Sequence, residues 1–82
     1  MKKLDNLQEE IEINTPYITL GQLIKLANIF ESGGMIKTYL SDKGVLVNNE
    51  LERRRGRKLY PSDVITVENI GSYVVIGKVE SK

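Results

Sequence analysis

Three observations predict an α+β fold in which two N-terminal helices pack on a small, mostly antiparallel sheet. Leu20, Leu23, Ile24 and Ala27 recur at i, i+3, i+4 and i+7, which is the apolar stripe of a helix. The triplet Ser32-Gly33-Gly34 interrupts that pattern, and a second helical period follows it. From Val45 onward the apolar residues come in short alternating runs divided by turn residues, the signature of strands.

The elements follow in chain order. Glu10-Ile11-Glu12-Ile13-Asn14 alternates polar and apolar, as a half-buried strand does. Pro16 has no amide donor and ends any ladder there. Thr19 with Gln22 forms a capping box, and Ile18 is placed to staple onto Leu23, so the first helix starts at Thr19 and runs to about Phe30. Lys25 lies off the apolar stripe and faces water. Ser32 caps the second helix, whose inner face is Ile36, Tyr39, Leu40 and the stem of Lys43; Lys37 and Ser41 project from the other side. Gly44 suits the helix stop. Val45-Leu46-Val47 is a strand, and Asn48-Asn49 tolerate the positive φ of a tight hairpin turn. Leu51 begins the return, a basic run interrupts it, and Leu59-Tyr60 resumes it. Pro61-Ser62-Asp63 turns into Val64–Val67, and residues 69–72 turn into a final strand, Tyr73–Ile76. Residues 1–14 read as an N-terminal arm with a candidate strand, and residues 15–80 as a single domain.

Composition bounds the function. At 82 residues the chain has room for one core, and a domain of this size buries roughly 60% of the surface its unfolded chain exposes. It has no Cys and no His. Disulfides, thiolate metal sites and the commonest neutral-pH acid–base group are therefore excluded, and a cytoplasmic location is expected. No cofactor, metal or small-molecule substrate is expected. The apolar runs are too short to span a membrane, and acidic residues follow Met1-Lys2-Lys3 where a signal peptide would be apolar. No phosphate-loop or dinucleotide fingerprint occurs, and Ser32, Ser41 and Ser62 have no His partner, so the chain does not read as an enzyme.

The net charge is only +1, yet five Lys or Arg side chains crowd positions 53–58 around Gly56. Residues 1–31 hold three basic and five acidic side chains, whereas residues 32–63 hold seven basic and four acidic. Arg53, Arg54, Arg55, Arg57 and Lys58 occupy a segment that extends at most about 20 Å. Such a cluster repels itself unless it is solvated or paired with anions. Arg dominates it, and the guanidinium fork matches phosphate oxygens bidentately. The competing reading is a solvated hairpin that guards a sheet edge. Ser32-Gly33-Gly34 with Lys37 is a second anion-friendly feature, since a helix start presents amide donors; alternatively the glycines only permit a sharp turn between packed helices. Among the aromatics, Phe30 and Tyr39 read as core, and Tyr60 beside the basic run is a candidate for stacking on a base.

The order of these features resembles a known family. Two short helices followed by SGGMIKTYLSDKGVLVNNELERRRGRKLYPSDVITV resemble the RNA-binding domain named after ribosomal small-subunit protein four, the alpha-L motif. Val45, Val47 and Asn48 match its V-x-V-N hairpin, and Pro61, Asp63 and Ile65 match its later turn. The stretches ITLGQLIKLANIFESGGMIK and RRGRKLYPSDVI are similar to the small stand-alone bacterial YaaA proteins. The resemblance spans about residues 15–76. It implies binding to structured RNA, ribosomal RNA or a ribosomal particle, through Ser32, Gly33, Gly34 and Lys37 at the second helix and Arg53, Arg54, Arg55, Arg57 and Lys58 in the hairpin. Gly56 would shape that hairpin, and Lys25 and Lys43 would stand at its rim. Asn49 replaces the family's usual Gly, and Ser62 replaces the Gly before Asp63, which points to a different turn type there. The alternative function is a protein-interaction adaptor whose basic hairpin docks on an acidic protein surface. The oligomeric state is not legible.

Overall fold

A computed structural model describes residues 8–77. Seven strands and two helices run in the order β1 (Gln8–Ile13), β2 (Ile18–Thr19), α1 (Leu20–Leu26), α2 (Gly33–Asp42), β3 (Val45–Val47), β4 (Glu50–Glu52), β5 (Lys58–Leu59), β6 (Val64–Val67) and β7 (Gly71–Gly77). The fold is α+β with a mixed sheet, but strands rather than helices come first. β1 and β2 precede α1 because Ile11 and Ile13 turn into the core while Glu10 and Glu12 face water. The expected ending at residue 80 falls outside the described residues.

Five strands form one sheet in the order β1-β7-β6-β3-β4. β3–β4, β3–β6 and β6–β7 are antiparallel, and β1 runs parallel to β7 from Gln8↔Ser72 to Ile13↔Gly77. Both helices cover one face of this sheet. Leu20, Leu23 and Ile24 from α1 and Ile36 and Leu40 from α2 meet Val45, Val47, Ile65, Val67 and Val75 in a single core. Each such side chain contributes about 1.5–3 kcal/mol on burial. Phe30 and Tyr39 pack at its margin with ring centroids 5.0 Å apart.

Three local expectations are corrected. α1 stops at Leu26 rather than near Phe30, because Asn28 adopts a left-handed φ of 58°. Lys58–Leu59 do not resume the hairpin; they pair with Ile18–Thr19 as a separate two-stranded sheet. Lys43 is exposed at the C-cap of α2, so its stem adds nothing to the inner face.

The turns follow their residues. Asn48 and Asn49 both have positive φ, 51° and 71°, as a two-residue hairpin turn with the twist of its strands requires. Asp63 donates its amide to the Tyr60 carbonyl at 2.9 Å, and Ser62 sits at φ 86° after Pro61. That is the pattern of a type II turn, so replacing Gly with Ser leaves the turn type unchanged and puts strain on Ser62 instead. Asn48 joins the two turns: its Nδ2 donates to Asp63 Oδ1 at 3.1 Å and its Oδ1 accepts from the Val64 amide at 2.9 Å. Gly44 follows the C-cap with φ 76°, and a Cβ there would lie 2.9 Å from the Glu52 carbonyl oxygen.

Candidate nucleic-acid interface

The basic run is organised around a buried acid. A two-residue turn at Asn48-Asn49 sets Val47 opposite Glu50 and Val45 opposite Glu52. Glu52 therefore shares the inner face with Val45, and it is 6% exposed. Its Oε2 accepts from the amides of Arg53 at 3.1 Å and Arg54 at 2.9 Å. Arg54 grips both oxygens, Nε to Oε2 at 2.9 Å and Nη2 to Oε1 at 3.1 Å, and Arg57 Nη1 reaches Oε1 at 2.8 Å. The Arg54 hydrogen bonds, the backbone amide and Arg57 hold this carboxyl well below the usual carboxylate range, against the opposing effect of burial.

This arrangement divides the five cations. Arg54 and Arg57 are committed to Glu52. Arg53, Arg55 and Lys58 have no ion pair among the described residues and are exposed. Lys58 lies on the other side of the loop, its Nζ 4.8 Å from the Tyr17 ring centroid.

The loop is bolted to α1 through its backbone. Leu20 and Gly21 donate their amides to the carbonyls of Arg57 at 2.8 Å and Arg55 at 2.9 Å. The Gln22 amide donates to Thr19 Oγ1, and the Thr19 amide to Gln22 Oε1, which completes the capping box. Gly21 makes the close approach possible, since a Cβ there would stand 2.5 Å from Arg55 Cγ. The start of α1 is thus fully capped by protein.

The start of α2 is not. Ser32 Oγ accepts from the Met35 amide at 3.3 Å, and the Ser32 carbonyl takes the Ile36 amide. The amides of Gly33 and Gly34 have no acceptor among the described residues. Neither glycine has a positive φ, and a Cβ would meet nothing within 4 Å at Gly33 and only Ser32 Oγ, at 3.8 Å, at Gly34. Packing therefore does not explain either glycine. Gly56 is equally open, with nothing within 4 Å and no positive φ.

Two grooves of about 330 Å³ each hold the cations, and one of them reaches this helix start. One is lined by Gly21, Lys25, Gly33, Ile36, Arg55 and Gly56, and the other by Lys37, Leu40, Ser41, Arg53 and Arg55. Arg55 stands between them. Lys25, Gly33, Lys37, Arg53, Arg55 and Gly56 thus line these two adjoining grooves, and Ser32 and Gly34 are the chain neighbours of Gly33. Lys43 caps the far end of α2, about 15 Å from its start, next to Gly44, on which Arg53 packs. Sequence reasoning did not single out Glu52 or Gly21. The first was within reach, because counting back from Asn48-Asn49 puts Glu52 opposite inward-facing Val45; the second depends on a contact between distant segments. Among the described residues no group of three or more acidic side chains could hold a metal ion, and no helix is long and apolar enough to cross a membrane.

A small α+β module with a cationic loop fastened across a helix pair is the architecture these features define. The sequence model of the S4 domain matches residues 11–76, and the chain belongs to that family. It is also similar to a Bacillus subtilis (strain 168) protein described as a probable ribosome maturation protein, RlbA, with 54% identity over 66 residues covering 80% of this chain and 93% of the relative.

Proposed function

We propose that this chain binds structured RNA of ribosomal origin through the face built from the start of α2 and the basic loop. The observation that carries the reading is the pair of uncapped amides at Gly33 and Gly34, with Gly33 and Arg55 lining one groove. Uncapped amides at a helix start, with its positive dipole end, suit a phosphate oxygen. Arg55, Arg53, Lys37 and Lys25 supply further phosphate contacts, with Ser32 and Gly56 leaving the backbone accessible and Lys43 at the rim. Arg54 and Arg57 act indirectly, by fixing the loop on Glu52, and Lys58 contributes from the opposite flank. Membership of the S4 domain family and similarity to a ribosome maturation protein support RNA as the anion. Phosphate contacts supply affinity, and the spacing of the two grooves selects the shape of the backbone.

Binding to a duplex-containing ribosomal RNA fragment, followed by fluorescence anisotropy across a salt series, tests the reading. Three or four phosphate contacts give a slope of about −3 to −4 in log K against log salt. The double variant Lys37→Glu, Arg55→Glu is expected to bind at least about tenfold more weakly with an unchanged melting temperature. A salt-independent affinity, or full binding by the double variant, would overturn the proposal.

A further inference from the structure

A second feature adjoins this face and is not explained by phosphate contacts. A wider groove of about 630 Å³ runs between the β1–β2 connection and α1, lined by Glu12, Asn14, Tyr17, Gln22, Lys25 and Leu26 among others. It shares Gln22 and Lys25 with the groove that holds Arg55 and Gly33, so the two are continuous along one ridge of α1. Tyr17 forms part of its wall and is 39% exposed. The Tyr17 ring meets two side chains of one segment. Tyr60 approaches it with ring centroids 5.9 Å apart and a tilt of 50°, and Lys58 sets its ammonium 4.8 Å from the ring centroid. The backbone on either side is fixed as well. Ile18 pairs with Leu59, Thr15 Oγ1 donates to the Tyr17 carbonyl at 2.8 Å, and the Tyr60 amide donates to Asp63 Oδ2 at 2.8 Å.

An exposed aromatic ring in the wall of an open groove, with Lys25 in the same lining and the Lys58 ammonium over the ring, has the chemistry of a nucleotide subsite. The ring stacks on the base, Lys58 backs the ring as a cation over it, and the ammonium group of Lys25 takes the adjoining phosphate. We infer that Tyr17, backed by Tyr60 and Lys58, stacks an unpaired base of an RNA strand leaving the duplex held at the phosphate face. This inference rests on the RNA reading above and adds a ligand class to it, a single-stranded extension beside the duplex.

The test compares two RNA probes, a blunt stem-loop and the same stem-loop with a short adenosine tail. A third probe carries abasic sites in place of the tail's bases. Wild-type protein is expected to bind the adenosine-tailed stem about tenfold more tightly than the blunt or abasic-tailed one. Tyr17→Leu, which keeps an apolar side chain without a ring, should lose this preference while binding the blunt stem as wild type does; Tyr17→Phe should retain it. Tyrosine fluorescence gives a second readout, because the chain has four Tyr and no Trp; quenching by the adenosine-tailed probe alone supports stacking. Equal affinity of the wild type for all three probes, or an undiminished preference in Tyr17→Leu, would overturn the stacking site and leave the phosphate face standing. Failure to bind any of the three would overturn both.

Discussion

Removing the Glu52 carboxylate would leave Arg54 and Arg57 converging on a site that no longer holds an anion. Because the folded carboxyl titrates below its unfolded range, its stabilising effect is complete above about pH 4.3 and is lost as pH falls through the folded value. Melting temperature should therefore be flat from neutral pH to about pH 5 and fall in acid. In Glu52→Gln the neutral-pH stability should drop by about 1–3 kcal/mol, with a shallower acid decline; an identical acid decline would mean other carboxylates cause it. The same contacts decide which arginines report on binding. Charge reversal at Arg54 or Arg57 disturbs the loop itself, whereas reversal at Arg55 removes an exposed cation. Composition alone could not make that division, since five similar side chains in six positions look equivalent until the strand register sets one acid among them.

Two helix starts of similar appearance differ in what covers them. At α1 the amides of Leu20 and Gly21 end on loop carbonyls, so Gly21→Ala pushes Arg55 away and loosens the bolt between loop and helix. This variant should cost up to about 1–3 kcal/mol, as overpacking does, and weaken RNA binding in gel shifts. At α2 the opposite balance is expected. Gly33→Ala with Gly34→Ala improves helix propensity by up to about 1 kcal/mol per site, while the added methyl groups stand over the free amides and lower RNA affinity. Thermal melts and anisotropy on the same variant check both signs; a variant more stable and equally tight would remove these amides from the interface. Capping signals, apolar periods and the Asn48-Asn49 turn made the helix starts and the central hairpin legible. The early end of α1 and the pairing of Lys58–Leu59 with Ile18–Thr19 were not, because each depends on a partner far away in sequence.

Across the whole molecule the polar and apolar work is divided by face. The helices and the loop carry the cations, while the edge strand β1 exposes Glu9, Glu10 and Glu12, the last of which lines the groove that also holds Lys25. β1 belongs to the sheet through Ile11 and Ile13, both buried against the strands beside it. Ile13→Ala is expected to destabilise by about 2–5 kcal/mol in denaturant melts; a loss of a few tenths would mean that β1 is an ornament on a core complete without it. A strand near the start of the chain that pairs with the last described strand was outside the reach of periodicity, which reports which residues face inward and not which strand lies alongside.

The parallel pairing of β1 with β7 also sets an order in time. During synthesis β1 emerges before the other described strands and has no sheet partner until the residues up to Gly77 have followed, so its ladder closes a loop spanning residues 14–70. Closing a loop of that length costs about 3–4 kcal/mol in chain entropy, and the seam forms late. The helix pair, the hairpin and the Glu52 clasp involve shorter separations and do not wait for it. A growing chain can therefore present its cationic face before its fold is sealed, with β1 the strand most open to a protease in that interval.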